Sequence, residues 1–138
     1  MNSLHFLKLT MAFISLFHLV AGVGFMFSVS FQKFAVSAYG ATLPWNEQSI
    51  YFLRILGSFA FVLGTMALAA AKDPRRYWFV IVGFIEFFIL RNIHRHLYSD
   101  ELITGFGISN LTNDLTTLFF GAQAALLVYL LWKVRKIV

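Results

Sequence analysis

Four long runs of apolar residues, separated by short polar segments, dominate the pattern along this chain. They extend over residues 6–31, 50–71, 77–96 and 112–134. At about 1.5 Å of rise per residue, runs of this length form helices that can cross a hydrocarbon core about 30 Å thick. The pattern predicts an all-α protein in which residues 1–138 form a single transmembrane domain, an integral membrane four-helix bundle.

The segments between the runs have the composition of loops at a membrane surface. Residues 32–48 contain lysine, proline and glycine together with aromatic rings that suit the headgroup level. Residues 72–76 read KDPRR, which ends the second helix, and Gly105 and Gly107 indicate a third loop. Ser109 or Thr112 is expected to cap the last helix. The first run exceeds the 7 to 15 apolar residues of a typical signal core, so we expect it to be retained.

The distribution of basic residues predicts the orientation. Lysine and arginine concentrate at the amino end, in the second loop and at the carboxyl end, which share one side of a four-span protein: Lys8, Lys72, Arg75, Arg76, Lys133, Arg135 and Lys136. Because basic loops stay on the cytoplasmic side, both termini are expected to be cytoplasmic. This distribution predicts a multi-pass membrane protein.

Composition narrows the class further. The chain is 59% hydrophobic and 12% charged, whereas soluble domains are about 25% charged. The formal net charge is +5, but the basic residues lie beside apolar runs, so membrane lipids rather than nucleic acid are the expected partners. The absence of cysteine excludes thiolate metal sites and thiol nucleophiles in this chain, so redox chemistry would need a bound cofactor.

Ionisable residues inside the apolar runs are the most informative feature, because each costs at least about 2.5 kcal/mol at the bilayer centre unless it finds a partner or water. Estimated depths place His18, Glu86 and Gln123 together near the midplane. One interpretation is a hydrogen-bonded pair of Glu86 and His18 that holds two helices together. The other is a proton-accepting site.

A second polar layer is expected nearer the outer face. It contains Arg54, Arg91, Asn92, His94, Arg95, Asn113 and Asp114. One interpretation is interfacial anchoring of long side chains, with Arg54 paired to Asp114. The other is an anion pocket in which Arg54, Arg91 and Arg95 hold a carboxylate or phosphate.

No metal site and no catalytic motif is predicted. His94 and His96 are two residues apart and point away from each other on a helix, so they cannot share one metal. A haem held by His18 and His94 would join groups at depths about 15 Å apart, although a single axial histidine is left open.

Small residues recur at spacings of three and four in the second run, on one helical face: Gly57, Ala60, Gly64, Ala67 and Ala71. Such faces allow close approach of two helices in lipid. The first interpretation is packing within the chain. The alternative is a homodimer through Gly57, Ala60, Gly64 and Ala67, or contact with another membrane subunit.

The segment Arg54-Ile55-Leu56-Gly57, followed by Gly64, the turn Ala70-Ala71-Lys72-Asp73-Pro74-Arg75-Arg76-Tyr77, and then Gly83 and Glu86, resembles small bacterial four-helix membrane proteins of the DoxX-like group. The resemblance implies a four-helix bundle in a bacterial cytoplasmic membrane. Some DoxX-like proteins are associated with quinone-linked oxidation, but fold-level likeness does not transfer function.

Two hypotheses of function follow. The first is a non-enzymatic membrane protein that binds a lipid or small amphiphile, or an accessory subunit of a membrane complex, with Arg54, Arg91, His94 and Asp114 as ligand-binding residues. The second is a redox or proton-transfer component that uses a quinone or haem, with Glu86 and His18 as the ionisable pair.

Overall fold

The protein is all-α, as predicted from its apolar runs. The structure is a computed structural model, and it describes residues 2–135. Lys136, part of the carboxyl-terminal basic group, lies outside the described residues. In chain order the helices are α1 Ser3–Phe27, α2 Val29–Ala38, α3 Glu47–Lys72, α4 Trp78–Leu97, α5 Ser99–Phe106 and α6 Asn110–Arg135.

The first apolar run is divided between two helices, whereas the sequence predicted one helix over residues 6–31 and a loop from residue 32. Ser28 has extended backbone angles (φ −129°, ψ 107°), and its side chain accepts a hydrogen bond from the Phe31 amide. Ser28 therefore acts as the N-cap of α2, because a serine oxygen satisfies a free amide of a new first turn. Residues 32–38 of the predicted interfacial loop belong to α2, a helix of ten residues.

A second short helix, α5, lies in the segment where the sequence predicted a loop. It ends at Gly107, whose φ of +67° is the left-handed conformation that glycine adopts most easily at a helix end. Its amide bonds back to the Ile103 carbonyl. The Ser109 side chain then accepts from the Thr112 amide at 3.1 Å and caps α6, which is one of the two caps predicted.

Helices α1 and α3 run antiparallel with their backbones in contact. A Cβ added to Gly22 would lie 2.6 Å from the Phe61 amide nitrogen, and one added to Gly64 would lie 2.8 Å from the Leu19 amide nitrogen. Both distances are too short for any residue but glycine. The Ser15 hydroxyl donates to the Gly64 carbonyl at 2.8 Å, which adds a buried polar link across the same interface.

The small-residue face of α3 is used inside the chain. A Cβ on Gly57 would meet the Gly22 carbonyl oxygen and the Met26 amide nitrogen of α1, each at 2.8 Å. Ala67 is fully buried in the main core. These residues allow α1 to approach α3 closely, which is the first of the two interpretations given to the stripe.

Helices α4 and α6 form the other antiparallel pair and contact each other mainly through large side chains. The Phe88 and Phe120 rings stack with centroids 5.5 Å apart. At one end of the pair, the Arg135 guanidinium lies 4.2 Å from the centroid of the Trp78 ring. Toward the other end, the Asn92 amide donates to the Thr117 carbonyl at 3.1 Å.

Three of the described helices, α1, α3 and α6, are long and apolar enough to cross a membrane. Helix α4 is of comparable length but carries Glu86, Arg91 and Arg95 among its apolar residues. Large apolar side chains such as Phe27 and Leu118 are exposed over the sides of the long helices. In water such a surface would be strongly unfavourable, whereas lipid would cover it at no cost.

Candidate functional site

Polar side chains gather where the end of α2, the end of α4 and the start of α6 meet. The chain after α2 rests on α5, since the Thr42 amide donates to the Phe106 carbonyl at 2.7 Å. A Cβ on Gly40 would lie 3.8 Å from the Thr112 hydroxyl of α6. Tyr39, which precedes Gly40, is thereby held beside α4 and α6. We call Tyr39, Arg91 and Arg95 the arginine cluster.

Arg95 is the most unusual residue of the arginine cluster, because it is only 5% exposed. One terminal nitrogen, Nη1, donates to the Tyr39 hydroxyl. The other two nitrogens, Nε and Nη2, are buried and have no hydrogen-bond partner among residues 2–135. An arginine keeps its charge under all ordinary conditions, so the N–H groups of these two nitrogens are unsatisfied donors of a positive charge inside the protein.

Arg91 lies one helical turn before Arg95 and adds a second positive charge. Its guanidinium is 4.3 Å from the centroid of the Phe120 ring of α6. It also interacts with the Tyr39 hydroxyl and with the charge of Arg95. One phenolic oxygen thus serves two guanidinium groups, and no carboxylate of residues 2–135 forms an ion pair with either.

Two asparagines near the same end of the α4–α6 pair also have unsatisfied oxygens. Asn113, in the first turn of α6, is buried, and its Oδ1 has no partner. Asn92 uses its amide nitrogen to bond Thr117, but its Oδ1 is likewise buried and unpaired. Buried polar atoms are nearly always hydrogen-bonded in proteins, so this end of the bundle lacks partners that a ligand or water would supply.

Arg54 and Asp114, which the sequence placed in the ligand site, do not join the arginine cluster. Both are exposed, and the ion pair expected between them is not formed. Arg54 instead lines a cleft of about 600 Å³ between the starts of α2 and α3. The expectation failed because helix length fixes depth in the membrane but not which neighbour a residue faces.

His94, the other predicted ligand residue on α4, is exposed and lies outside the arginine cluster. Its ring packs edge-on against Tyr98, with centroids 5.9 Å apart. It precedes Arg95 by one position, and adjacent residues on a helix point in directions about 100° apart. At this level of α4, the side chain that points into the bundle is that of Arg95.

The predicted midplane pair of His18 and Glu86 is not formed. The His18 Nδ1 lies 2.8 Å from the Ile14 carbonyl oxygen, and its ring contacts Phe84 of α4 with centroids 5.6 Å apart. Glu86 is two residues beyond Phe84, on the opposite, exposed side of α4, and has no partner among the described residues.

Gln123, the third residue predicted at the midplane, is half-buried on α6, and its Oε1 is buried without a partner. It makes no contact with His18 or Glu86 that would create a three-residue site. No group of three histidine or acidic side chains among residues 2–135 is arranged to hold a metal ion. The described ionisable residues of the midplane layer therefore lie apart.

Tyr39 is the candidate site residue that the sequence did not single out. Its ring was expected only to sit at the headgroup level, in a segment expected to be a loop. The C-cap position that it occupies at the end of α2 turns its hydroxyl to the two arginines. A tyrosine close to a predicted arginine layer was the available indication, but only the fold brings these residues together.

The fold and its exposed apolar surface define a helical membrane protein with a cationic, partly buried site at one end. Comparison with protein-family models, with curated proteins and with solved structures found no match for this chain. The DoxX-like resemblance thus remains a prediction from the sequence alone.

Proposed function

We propose that this protein is a four-span bundle that binds an anionic amphiphile, with the anionic head held by Arg95 and Arg91. The observation that carries the proposal is the buried Arg95 guanidinium, which has two nitrogens without a partner. Burying an unpaired charge costs several kcal/mol. A carboxylate or phosphate that accepts from Nε and Nη2 would remove most of this cost through two parallel hydrogen bonds.

Support for a fourth span comes from how α4 packs against α6. The two helices make contact from Trp78 and Arg135 at one end to Asn92 and Thr117 at the other. The interval from Trp78 to Asn92 corresponds to about 21 Å of helix, most of the hydrocarbon thickness. In lipid, α4 would therefore cross beside α6 despite its charges, and the four-helix bundle is part of the proposal.

The proposed orientation follows from the same pairing. With α1 antiparallel to α3 and α4 antiparallel to α6, Lys8, Lys72, Arg75 and Arg135 lie at one end, which the positive-inside rule assigns to the cytoplasm. We infer that both termini are cytoplasmic, in a bacterial cytoplasmic membrane. The arginine cluster then lies at the outer end.

The surroundings of the cluster favour an amphiphile over a small soluble anion. The Arg91 guanidinium lies on the Phe120 ring, and Ile93 and Leu97 of the same helix end are exposed toward the proposed lipid phase. A head group bound to the arginines would leave an attached chain beside these apolar side chains. Burial of that chain would add about 0.8 kcal/mol for each methylene group.

The competing hypothesis, a redox or proton-transfer component, loses its predicted pair because His18 and Glu86 do not meet. It would require a quinone or haem bound elsewhere. Purified protein in mild detergent decides between the two hypotheses, since a Soret band or a co-purified quinone would support the competing one. A colourless protein that retains an anionic amphiphile would support ours.

The decisive binding experiment uses two arginines as test and control. Dodecanoate and dodecyl phosphate are titrated into the purified protein, with uncharged dodecanol as the reference ligand. We expect Arg95→Gln to weaken binding of both anions by about tenfold or more, the value of one or two charge-assisted hydrogen bonds. Arg54→Gln removes the same charge from the separate cleft and should change binding less than about twofold.

Arg95→Lys distinguishes loss of the site from loss of folding, because it keeps the positive charge but not the two parallel donors. It should fold as the parent does and still bind the anions several times more weakly. Equal loss in Arg54→Gln and Arg95→Gln, or tight binding of dodecanol, would contradict an anion site at Arg95.

A further inference from the structure

A second cleft lies at the opposite end of the α4–α6 pair, far from the arginine cluster. It encloses about 420 Å³ and is lined by Pro74, Arg75, Trp78, Leu131, Val134 and Arg135. This volume falls in the range of about 300 to 1,000 Å³ typical of small-molecule sites. The cleft therefore has the size to accept a bound group rather than only ordered water.

The inner wall of this cleft is apolar and well packed. Pro74 is fully buried, and Leu131 and Val134 are both less than a tenth exposed. Pro74 comes from the turn before α4, while the other two lie one turn apart on α6. A wall made from two elements in this way is a fixed surface, against which an acyl chain could lie.

Two arginines line the cleft. The Arg135 guanidinium lies 4.2 Å from the centroid of the Trp78 ring, and its N–H groups have no hydrogen-bond partner within residues 2–135. Arg75 is exposed and has no partner among residues 2–135. The nearby carboxylate of Asp73 is engaged differently, because it accepts from the Arg76 amide at 3.1 Å.

From this arrangement we propose that the cleft binds one anionic phospholipid of the cytoplasmic leaflet. Its phosphate would lie between Arg75 and Arg135, and its acyl chain would cover Trp78 and the apolar wall. Charge complementarity selects the anionic head, since two cations line the cleft and no carboxylate of residues 2–135 forms an ion pair with either. The apolar wall selects a lipid over free phosphate. The proposal rests on the orientation proposed above, but it does not depend on the ligand proposed for the arginine cluster.

The chain offers a closely matched control for this site. Arg76 follows Arg75 in the same turn but lies over the Tyr77 ring, and Lys133 lies over the Tyr129 ring on the same helix as Arg135. Neither lines the cleft. The double variant Arg75→Gln/Arg135→Gln therefore removes two charges from the cleft, whereas Arg76→Gln/Lys133→Gln removes two charges from its surroundings.

The experiment measures retained lipid by native mass spectrometry after incubation in mixed phosphatidylglycerol and phosphatidylcholine. We expect the parent protein to retain phosphatidylglycerol preferentially and the cleft double variant to retain about tenfold less. The control double variant should retain it within about twofold of the parent. Addition of phosphatidylglycerol should also raise the unfolding temperature of the parent but not of the cleft variant.

Three outcomes would overturn the proposal. Equal losses in both double variants would show diffuse attraction between basic residues and the membrane. Unchanged retention in the cleft variant would show that lipid binds elsewhere. Protection by soluble glycerol phosphate equal to that by the lipid would show a site for free phosphate. If the cleft double variant does not fold, Arg75→Gln against Arg76→Gln gives the same decision, because the exposed Arg75 side chain forms no hydrogen bond or ion pair within residues 2–135.

Discussion

The α1–α3 interface and the end of the α4–α6 pair that carries the arginine cluster are built in opposite ways. Between α1 and α3, glycines bring two backbones into contact, and the buried Ser15 hydroxyl has its partner at Gly64. At the end of α4 and α6 that carries the arginine cluster, the helices contact each other through aromatic rings, and buried atoms of Arg95 and Asn113 have no hydrogen-bond partner within residues 2–135.

This difference separates support from function within one small protein. A glycine interface in lipid gains stability from close contact and leaves nothing to bind a ligand. A buried arginine with unpaired donors lowers the stability of the fold, and a bound anion would remove this cost. In the proposed function, α1 and α3 therefore form the scaffold and the ligand binds at the arginine cluster.

The largest effect is expected at the glycine interface. Gly57→Leu places a side chain against the Gly22 carbonyl and the Met26 amide, which are backbone atoms that cannot move aside. We expect the free energy of unfolding to fall by about 3 kcal/mol or more, as in overpacked cores. Unfolding in sodium dodecyl sulfate, followed by circular dichroism, measures the change.

Gly83→Leu is the matched control for this substitution, because a Cβ at Gly83 has nothing within 4 Å. It should alter the free energy of unfolding by less than about 0.5 kcal/mol. Similar destabilisation by both leucines would mean that the α1–α3 contact is not what holds the helices together.

A smaller effect is expected at the arginine cluster. Tyr39→Phe removes the one hydroxyl that accepts from Arg95, so that a third guanidinium nitrogen loses its partner. The loss should be about 2 kcal/mol, the value of a hydrogen bond to a charged group. Added dodecyl phosphate should restore part of it. Tyr51→Phe is the control, because Tyr51 is exposed on α3. An equally large loss of stability in this variant would refute the role assigned to Tyr39.

Ser15→Ala tests the polar link of the scaffold. The Ser15 hydroxyl is buried and bonds the Gly64 carbonyl across α1 and α3. Hydrogen bonds between membrane helices contribute about 0.6 kcal/mol on average, and we expect a loss of that size. A loss above about 2 kcal/mol would show that polar contact, not glycine contact, dominates this interface.

The smallest effect concerns His18 and Glu86. Because they lie on different sides of α4 and share no contact, His18→Phe and Glu86→Gln should be additive to within about 0.5 kcal/mol in a double-mutant cycle. A coupling energy above about 1 kcal/mol would restore the midplane pair that the sequence suggested.

The sequence predicts the helices of this protein far better than its site. Apolar length and charged boundaries locate α1, α3, α4 and α6, because lipid imposes both. The break at Ser28 escapes prediction, since one serine inside an apolar run is compatible with a continuous helix. Depth estimates place His18 at the height of Glu86. Glu86 nevertheless lies two residues beyond Phe84, which contacts His18, and residues two apart on a helix face nearly opposite sides.

The sequence fails to predict the arginine cluster for a related reason. Arg91 and Arg95 could be read as neighbours because four residues separate them on one helix. Their shared partner Tyr39 lies in another helix about fifty residues earlier, and Arg54 faces a different cleft. Contacts between elements distant in sequence depend on helix rotation, which hydropathy does not encode.

The most direct test of the central claim is an experimental structure of the protein purified in mild detergent with its native lipids retained. We expect density for an anionic head group within about 3 Å of Nε and Nη2 of Arg95, with its tail leading toward the lipid phase. If both nitrogens are instead satisfied by groups of the chain itself, or if the guanidinium faces open water, the buried anion site does not exist.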